Sequence, residues 1–431
     1  MPPVPQEQLL RSSYPLDKTL FLLGGYTDKS VLAHAPAGGE GEGVYSVLFD
    51  PEHGKLKTLS SSLVKTNPAF ILKHPALDIV YMTTEVIADS GSEVIVGRLN
   101  RKTGHVEEIQ RRAVHGRSTC HLEWDVDRTH LIAVSYWDSR LTTFAVDRLT
   151  GQLANATEVY ADPGAEYVDK AKPDRWEHLA HRQRWPHLHQ VNRDPYCGGK
   201  FYMVPDLGRD QVHLFSILDG HVCKLGAVQL RKGAGPRHMD FHPRLKVAYI
   251  CGELDNTITV LRFNPEQVPK MLEGNYLADS TSAAPSLLTS VQTISTVPEG
   301  LTSKSTIAEM RLHPSGQFLY VGNRGHNSIA IFRVDQDSGN LTRIGIQDSL
   351  GAFPRHFNFD NTSGFLLVGN HASDTIVAFR IEGSGLLEVV DRLEGIPSIV
   401  WVTPCRPALG AGEEEEQWSV NYNFSINVTW L

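Results

Sequence analysis

Apolar and polar residues alternate in short runs along most of the chain, and the runs come in sets. "KVAYICG" from Lys246, a turn at Asp255-Asn256, and "TITVLRF" from Thr257 form one such set. A further run follows in comparable sets, as in "CKLGAVQL" from Cys223 or "LTRIGIQD" from Leu341. Period-two alternation bounded by Gly, Asn and Asp predicts β-strands joined by tight turns. The sets also resemble one another. "PRHMDFHPRLKVAYICGELDNTITVLRF", from Pro236, moved on by 71 residues sets His242-Pro243 on His313-Pro314 and Tyr249 on Tyr320. Moved on by 118 it sets Arg237 on Arg355; moved back by 50 it sets Arg237 on His187 in "PHLHQV". Earlier copies are "CHLEWDVDRTHLIAVSYWDSRLTTFAV" from Cys120 and "PAFILKHPALDIVYMTTEVIADSGSEVIVGRL" from Pro68.

Four short strands recurring at about 45–50 residues are the mark of propeller blades. The fold class predicted is all-β: a seven-bladed β-propeller with four antiparallel strands per blade, preferred over a pair of β-sandwiches or an eight-bladed ring. Six units are complete. The N-terminal "LFLLGGYT" and "GVYSVLFD" lack a first strand, which "PSIVWVTP" from Pro397 would supply. The N- and C-terminal strands then close the ring and leave no free sheet edge there. The predicted organisation is an N-terminal extension over 1–17, the propeller over 18–405, and an acidic, flexible tail over 406–431. Extra residues at about 159–185 and 264–305 read as loops between or within blades.

Composition narrows the class. With 431 residues and 41% hydrophobic content the chain can bury a large core. Lys and Arg number 41 against 49 Asp and Glu, a net charge of −8, which argues against a nucleic-acid partner. No apolar run approaches the ~20 residues that cross a bilayer, so no membrane partner is expected. The opening residues lack a signal peptide's apolar core. Five widely spaced cysteines suggest reduced thiols. These features predict a cytoplasmic protein, monomeric or weakly oligomeric.

The repeat register places candidate chemistry. First strands of a propeller line its central channel, and the turns after second strands crowd one mouth. Just after the second strands stand Tyr26, Glu85, Tyr136, Asp206, Glu253, Arg324 and His371. At the start of the first strands stand Ala69, Cys120, His187, Arg237, Ala308, Arg355 and Ser398. Both sets belong at one mouth, giving a mixed-charge site with three arginines in an acidic protein. Arginine forks match carboxylate or phosphate, so an anionic ligand is expected. His187 and Glu253 qualify as general bases if their neighbours tune them toward neutrality. A single polar residue in such a place more often caps a turn; the argument rests on seven aligned polar positions. "HLAHRQRWPHLH" collects His178, His181, His187 and His189, a weaker hint of zinc, and no metal or cofactor is predicted. Cys120 reads as a buried structural thiol. No GxSxG elbow, P-loop or dinucleotide fingerprint occurs in a fitting context.

"GAGPRHMDFHP", "AYICGELDNTITV", "AEMRLHPSGQFLYVGNRGHNSIAIF" and "PHLHQV…VPDLGRDQV", in this order, resemble the lactonase family of seven-bladed propellers over about residues 18–405. That family includes bacterial-type 6-phosphogluconolactonases and fungal 3-carboxy-cis,cis-muconate lactonizing enzymes. The resemblance implies hydrolysis of an anionic sugar-acid lactone without a metal, most like 6-phosphogluconolactone. A muconate cyclase or a non-enzymatic binding platform are the alternatives. It implies a catalytic set of His187, Arg237, Glu253 and Arg324, which the register reaches independently. His189, Asp206, His238, Arg355 and His371 are the expected substrate-binding groups around it. The insertions depart from the family pattern and leave the choice of lactone open.

Overall fold

The structure, a computed structural model, describes residues 18–32, 37–88, 91–163, 182–199, 201–268 and 287–405. The first three strands are Thr19–Gly25 (β1), Gly43–Asp50 (β2) and Lys55–Leu63 (β3). The second set is Pro68–Lys73, Ile79–Thr84, Glu93–Leu99 and Val106–Ala113 (β4 to β7). The third is Thr119–Trp124, His130–Ser135, Arg140–Val146 and Leu153–Ala161 (β8 to β11). The fourth is Asn192–Arg193, Phe201–Asp206, Gln211–Leu218 and His221–Gln229 (β12 to β15). The fifth is Pro236–Phe241, Val247–Gly252, Thr257–Phe263 and Leu288–Ser295 (β16 to β19). The sixth is Thr306–Leu312, Phe318–Arg324, Ser328–Val334 and Leu341–Asp348 (β20 to β23), and the seventh is Pro354–Phe359, Phe365–Asn370, Thr375–Ile381 and Leu387–Glu394 (β24 to β27). Ile399–Cys405 (β28) returns to pair antiparallel with β1, Leu20 opposite Cys405.

Among the described residues these strands make seven four-stranded sheets, and the sheet that mixes the two chain ends has the order β28-β1-β2-β3. The seven-bladed propeller and its closure by both termini are therefore as the register predicts. Among the described residues helix is limited to short pieces, such as the 3-10 turns at Lys29–Val31 and Pro265–Gln267. No described helix is long and apolar enough to cross a membrane. The extension 1–17 and the tail 406–431 lie outside the described residues.

Two expectations change. Residues 288–295 are not loop but the outer strand of blade five, paired with β18 from Thr257↔Ser295 to Phe263↔Leu288. The first strand of blade four is also shorter than "PHLHQV" suggests. Its ladder is reduced to Asn192 and Arg193 and one bridge, Leu188↔Asp206. Pro205 opposite accepts from His189 N at 3.0 Å but has no N–H to return, and the Asp206 carboxylate takes the N–H of His187 at 2.7 Å.

Blades pack face to face, so second strands are buried on both sides. β5, β17 and β25 are buried at every residue, whereas outer strands such as β7 are exposed or half-buried along most of their length. The repeated motifs explain how neighbours lock. Tyr81, Tyr249 and Tyr320, at one register position, each donate Oη to a glycine carbonyl of the next blade: Gly151, Gly339 and Gly385, at 2.7, 2.9 and 2.9 Å. Those glycines adopt left-handed φ of 71°, 75° and 90° in the turn before the outer strand. The His-Pro motif caps the turn between first and second strands. His242 Nδ1 accepts from Arg244 N and Leu245 N at 3.1 and 2.9 Å, and its Nε2 donates to Gly316 O of the next blade at 3.1 Å. Replacing Tyr249 by Phe leaves the buried Gly339 carbonyl without its donor. Urea unfolding of Y249F is expected to show a loss of about 1–3 kcal/mol; an unchanged midpoint would show that the bond adds no stability.

Candidate active site

One backbone irregularity recurs at the channel mouth. Near their starts, the first strands carry a residue too many for the second strands they pair with. Pairing passes from Pro68↔Thr84 to Phe70↔Thr83, from Thr119↔Ser135 to His121↔Val134 and from Pro354↔Asn370 to His356↔Gly369. In blade five Arg237 and His238 lie between the pairs Pro236↔Gly252 and Met239↔Ile250, and blade six repeats this at Ala308 and Glu309. A bulge bends the strand and re-aims a side chain. Here it sends Arg237 and Arg355 toward the groups that follow the second strands. Just before Arg237, Gly235 holds φ +62°, and a Cβ there would lie 2.5 Å from Leu254 Cγ. In the second copy of the motif Phe353 takes the same left-handed turn, φ +64°, and its ring centroid lies 5.4 Å from Arg324 Cζ.

Glu253 is the focus. Its side chain is 1% exposed, and three guanidiniums surround its carboxylate. Arg324 Nη2 lies 2.8 Å from Oε1, Arg237 Nε lies 3.0 Å from Oε2, and Arg182 Nη1 also reaches Oε1. Three positive charges against one negative give the cluster a net charge of +2. Burial by itself would raise the Glu253 pKa, but Arg182, Arg324 and Arg237 together outweigh it and hold the carboxyl well below its ordinary range. Arg324 shows the converse. Burial and its neighbours Arg237, Arg355 and Arg182 lower its pKa to about 10, against the pull of Glu253. The site holds more positive charge than it neutralises, which an anionic ligand would relieve. It also keeps unused donors: Arg324 Nε has no hydrogen-bond partner among the described residues, and Arg237 Nε, though close to Oε2, is not aligned with it for a hydrogen bond.

His187 stands beside this cluster. Its ring stacks on Tyr136, centroids 4.6 Å apart and planes 10° from parallel, with Trp137 at 5.6 Å. Nδ1 lies 3.1 Å from the Tyr136 carbonyl, which can only accept, so Nδ1 carries the proton and Nε2 the lone pair. Burial lowers its pKa to about 4, opposed by the Tyr136 carbonyl and Asp206. Neither His187 nor Glu253 is therefore tuned toward neutrality: both titrate below it, His187 as a neutral base and Glu253 as a fixed anion. His189 meets the edge of the same Tyr136 ring at 5.3 Å and the edge of His238 at 5.1 Å. Burial first, then Arg237 and His238, hold it well below the usual imidazole range.

The other expected groups divide. Arg355 Nη2 donates to Tyr26 Oη at 2.6 Å and lies 3.5 Å from Glu85 Oε2, while Tyr26 Oη donates to Glu85 at 2.5 Å. In this cluster Arg355 and Glu85 balance one another in charge, and the His371 ring lies 5.5 Å from Tyr26. Burial, with Arg355 and Lys29, lowers the His371 pKa to about 3. Asp206, expected to bind substrate, is turned into the fold. It is fully buried and accepts from the N–H groups of His187, Gly208 and Arg209 and from His213 Nε2 at 2.9 Å, because it replaces the interrupted ladder of blade four. His238 likewise points down the channel, 3.2 Å from Glu309, whose other oxygen holds His356 at 2.7 Å. It lies beneath the Arg237 guanidinium, 3.0 Å from Nη1, and so supports the site from below. Cys120 Sγ donates to His189 O at 3.2 Å, and burial raises its thiol pKa, as fits a structural thiol. His178 and His181 of the histidine run lie outside the described residues.

Arg182 was not foreseen. It lies in the extra segment before Trp185, where no blade register applies, and the only available signal was a second arginine in "HRQRW". Tyr136 was placed at the mouth by register but given no role. Glu309, which the 71-residue displacement sets on His238, was given no role.

Residues 20–404 match the family described as "Lactonase, 7-bladed beta-propeller", and the chain belongs to that family. Among similar proteins, the 6-phosphogluconolactonase of Bacillus subtilis is 28% identical over 365 residues, 84% of this chain and 95% of that one. The 6-phosphogluconolactonase of Formosa agariphila is 28% identical over 367 residues, 83% of this chain and 91% of the relative. By name both are lactone-hydrolysing esterases. The solved structure of a periplasmic gluconolactonase from Pseudomonas aeruginosa has a TM-score of 0.73 at 24% identity, covering 90% of this chain and 99% of that one, a likeness of fold.

Removing the Glu253 charge would leave three guanidiniums facing one another. E253Q is expected to lose about 3–5 kcal/mol of stability, the usual effect of breaking a buried ion pair. Inorganic phosphate should raise its Tm more than that of the unsubstituted protein. Equal thermal shifts in the two would contradict a site short of negative charge.

Proposed function

We propose that this chain hydrolyses the ester of an anionic sugar-acid lactone, most like 6-phosphogluconolactone. The observation that carries the reading is the union, at one channel mouth, of a cluster of net charge +2 around Glu253 with a neutral histidine whose Nε2 holds a lone pair. The names of the Bacillus and Formosa relatives support the reaction class. Water attacks the lactone carbonyl carbon and gives its proton to His187 Nε2. Charge develops on the carbonyl oxygen, where Arg237 or Arg324 stabilises it; one well-placed donor is typically worth ~3 kcal/mol. The tetrahedral intermediate collapses by breaking the ring C–O bond, and the imidazolium returns the proton to the leaving alkoxide. The product is the open hydroxy acid. Glu253 stays ionised throughout and keeps the guanidinium forks in place. His187 is preferred as the base because Glu253 is already fully engaged by cations.

The test is a panel of 6-phosphogluconolactone, uncharged gluconolactone and 3-carboxy-cis,cis-muconate, each followed against the uncatalysed rate at neutral pH. Hydrolysis of the phosphorylated lactone is expected, reduced by ~10²–10⁴ in H187A. Loss of the muconate diene alone would indicate a lactonizing isomerase, and turnover of none would favour a binding platform. The pH profile is a separate check. A base with a pKa of about 4 is protonated only below that value. Followed with uncharged gluconolactone, which has no phosphate to titrate at about pH 6, the kcat/KM profile should therefore fall on the acid side near pH 4 and stay level from about pH 5.5 to 7.5, where a base of ordinary imidazole pKa, about 6.5, would already be titrating.

A further inference from the structure

The three guanidiniums on Glu253 are not held alike. Arg237 donates Nη1 to the backbone carbonyl of Ala308, and Arg324 donates Nη2 to that of Ile307 at 2.7 Å, both on the first strand of blade six. Their side chains are 6% and 8% exposed. Arg182 is 21% exposed, and its partners among the described residues are side chains. Nε and Nη2 donate to Tyr136 Oη at 3.2 and 2.8 Å, and Nη1 reaches Glu253. Backbone bonds to a strand lock two of the forks. The third lies on the solvent side, tied to a phenol and to a carboxylate that already has two other cations.

We propose that Arg182 is the residue that selects for charge on the substrate. It exchanges part of its Tyr136 and Glu253 bonds for the phosphate of a phosphorylated lactone, holding it together with one of Arg237 and Arg324 while the other faces the carbonyl oxygen. The proposal rests on the lactonase reading above. The chemistry fits in two ways. A phosphate monoester carries a charge between about −1.5 and −2 at neutral pH, close to the balance of the cluster. It also offers three terminal oxygens, two of which suit the planar fork of Arg182. Tyr136 has a further part, because its ring stacks on His187. The group that holds Arg182 thus also holds the base, so the charged end of the substrate and the water-activating end are set by one side chain.

The test compares the full chain with R182A, R182K and Y136F. The quantity read is kcat/KM for 6-phosphogluconolactone divided by kcat/KM for uncharged gluconolactone, a ratio that cancels any loss of folded protein. It should fall roughly 10- to 100-fold in R182A, the usual effect of losing a charged hydrogen-bonding partner, and less in R182K, which keeps the charge without the fork. In Y136F, with Arg182 no longer tied to the phenol, the ratio should stay level or rise. A ratio in R182A within twofold of the parent overturns the proposal. Titration with inorganic phosphate separates this from failure of the lactonase reading. If the parent chain hydrolyses neither lactone, that reading fails; Arg182 remains the anion-selecting residue only if phosphate binds the parent chain and binds R182A at least tenfold more weakly. Equal phosphate affinity removes it.

Discussion

A carboxylate buried to 1% exposure stays ionised only if cations or hydrogen-bond donors offset its lost hydration, and for Glu253 three guanidiniums do so. The arrangement at the channel mouth follows from that requirement. Each arginine comes from a different part of the chain: Arg237 from the first strand of blade five, Arg324 from the end of the second strand of blade six, and Arg182 from the segment leading into blade four. Desolvation opposes the Glu253 charge, and the three cations together outweigh it. Their excess over one carboxylate remains as unsatisfied positive potential, which adds to burial in lowering the pKa of Arg324. One buried anion thus assembles a site for another.

The propeller makes the assembly possible. Seven sheets closed through β28 and β1 bring the starts of all first strands to one ring. Tyrosine-to-glycine bonds and histidine turn caps set each blade against the next. The bulges then break the regular alternation at the level where function is needed, so that Arg237 meets Glu253 and Arg355 meets Tyr26 and Glu85. Below that level Glu309 gathers His238 and His356. Polar interactions therefore continue down the channel, and the upper arginine rests on a layer that is itself paired.

Much of this was legible in the chain. Repeats displaced by 71 and 118 residues specify the blades, and the split of one blade between the two ends predicts the closure that β28 and β1 make. Register alone brings His187, Arg237, Glu253 and Arg324 to one mouth, because strand pairing in a repeated sheet fixes which residues share a level. What register does not carry is side-chain direction at irregular backbone. Asp206 occupies the expected position yet turns inward, since Pro205 interrupts the ladder and the carboxylate takes over the free N–H groups. His238 points down rather than across because it is the second residue of a bulge. Arg182 belongs to no repeat, so no displacement of the sequence onto itself could find it. The roles of base and anchor also depend on pKa, which three converging arginines decide and a linear sequence does not display.

The most direct measurement is a crystal structure of the protein with 6-phosphogluconate, the product of the proposed hydrolysis, bound. The proposed reaction predicts the phosphate on Arg182 and one of Arg237 and Arg324, with Glu253 still joined to these last two and the new carboxylate carbon within one water of His187 Nε2. Product bound elsewhere, or bound at the mouth with its phosphate turned toward Arg355 and the three arginines still closed on Glu253, would contradict it.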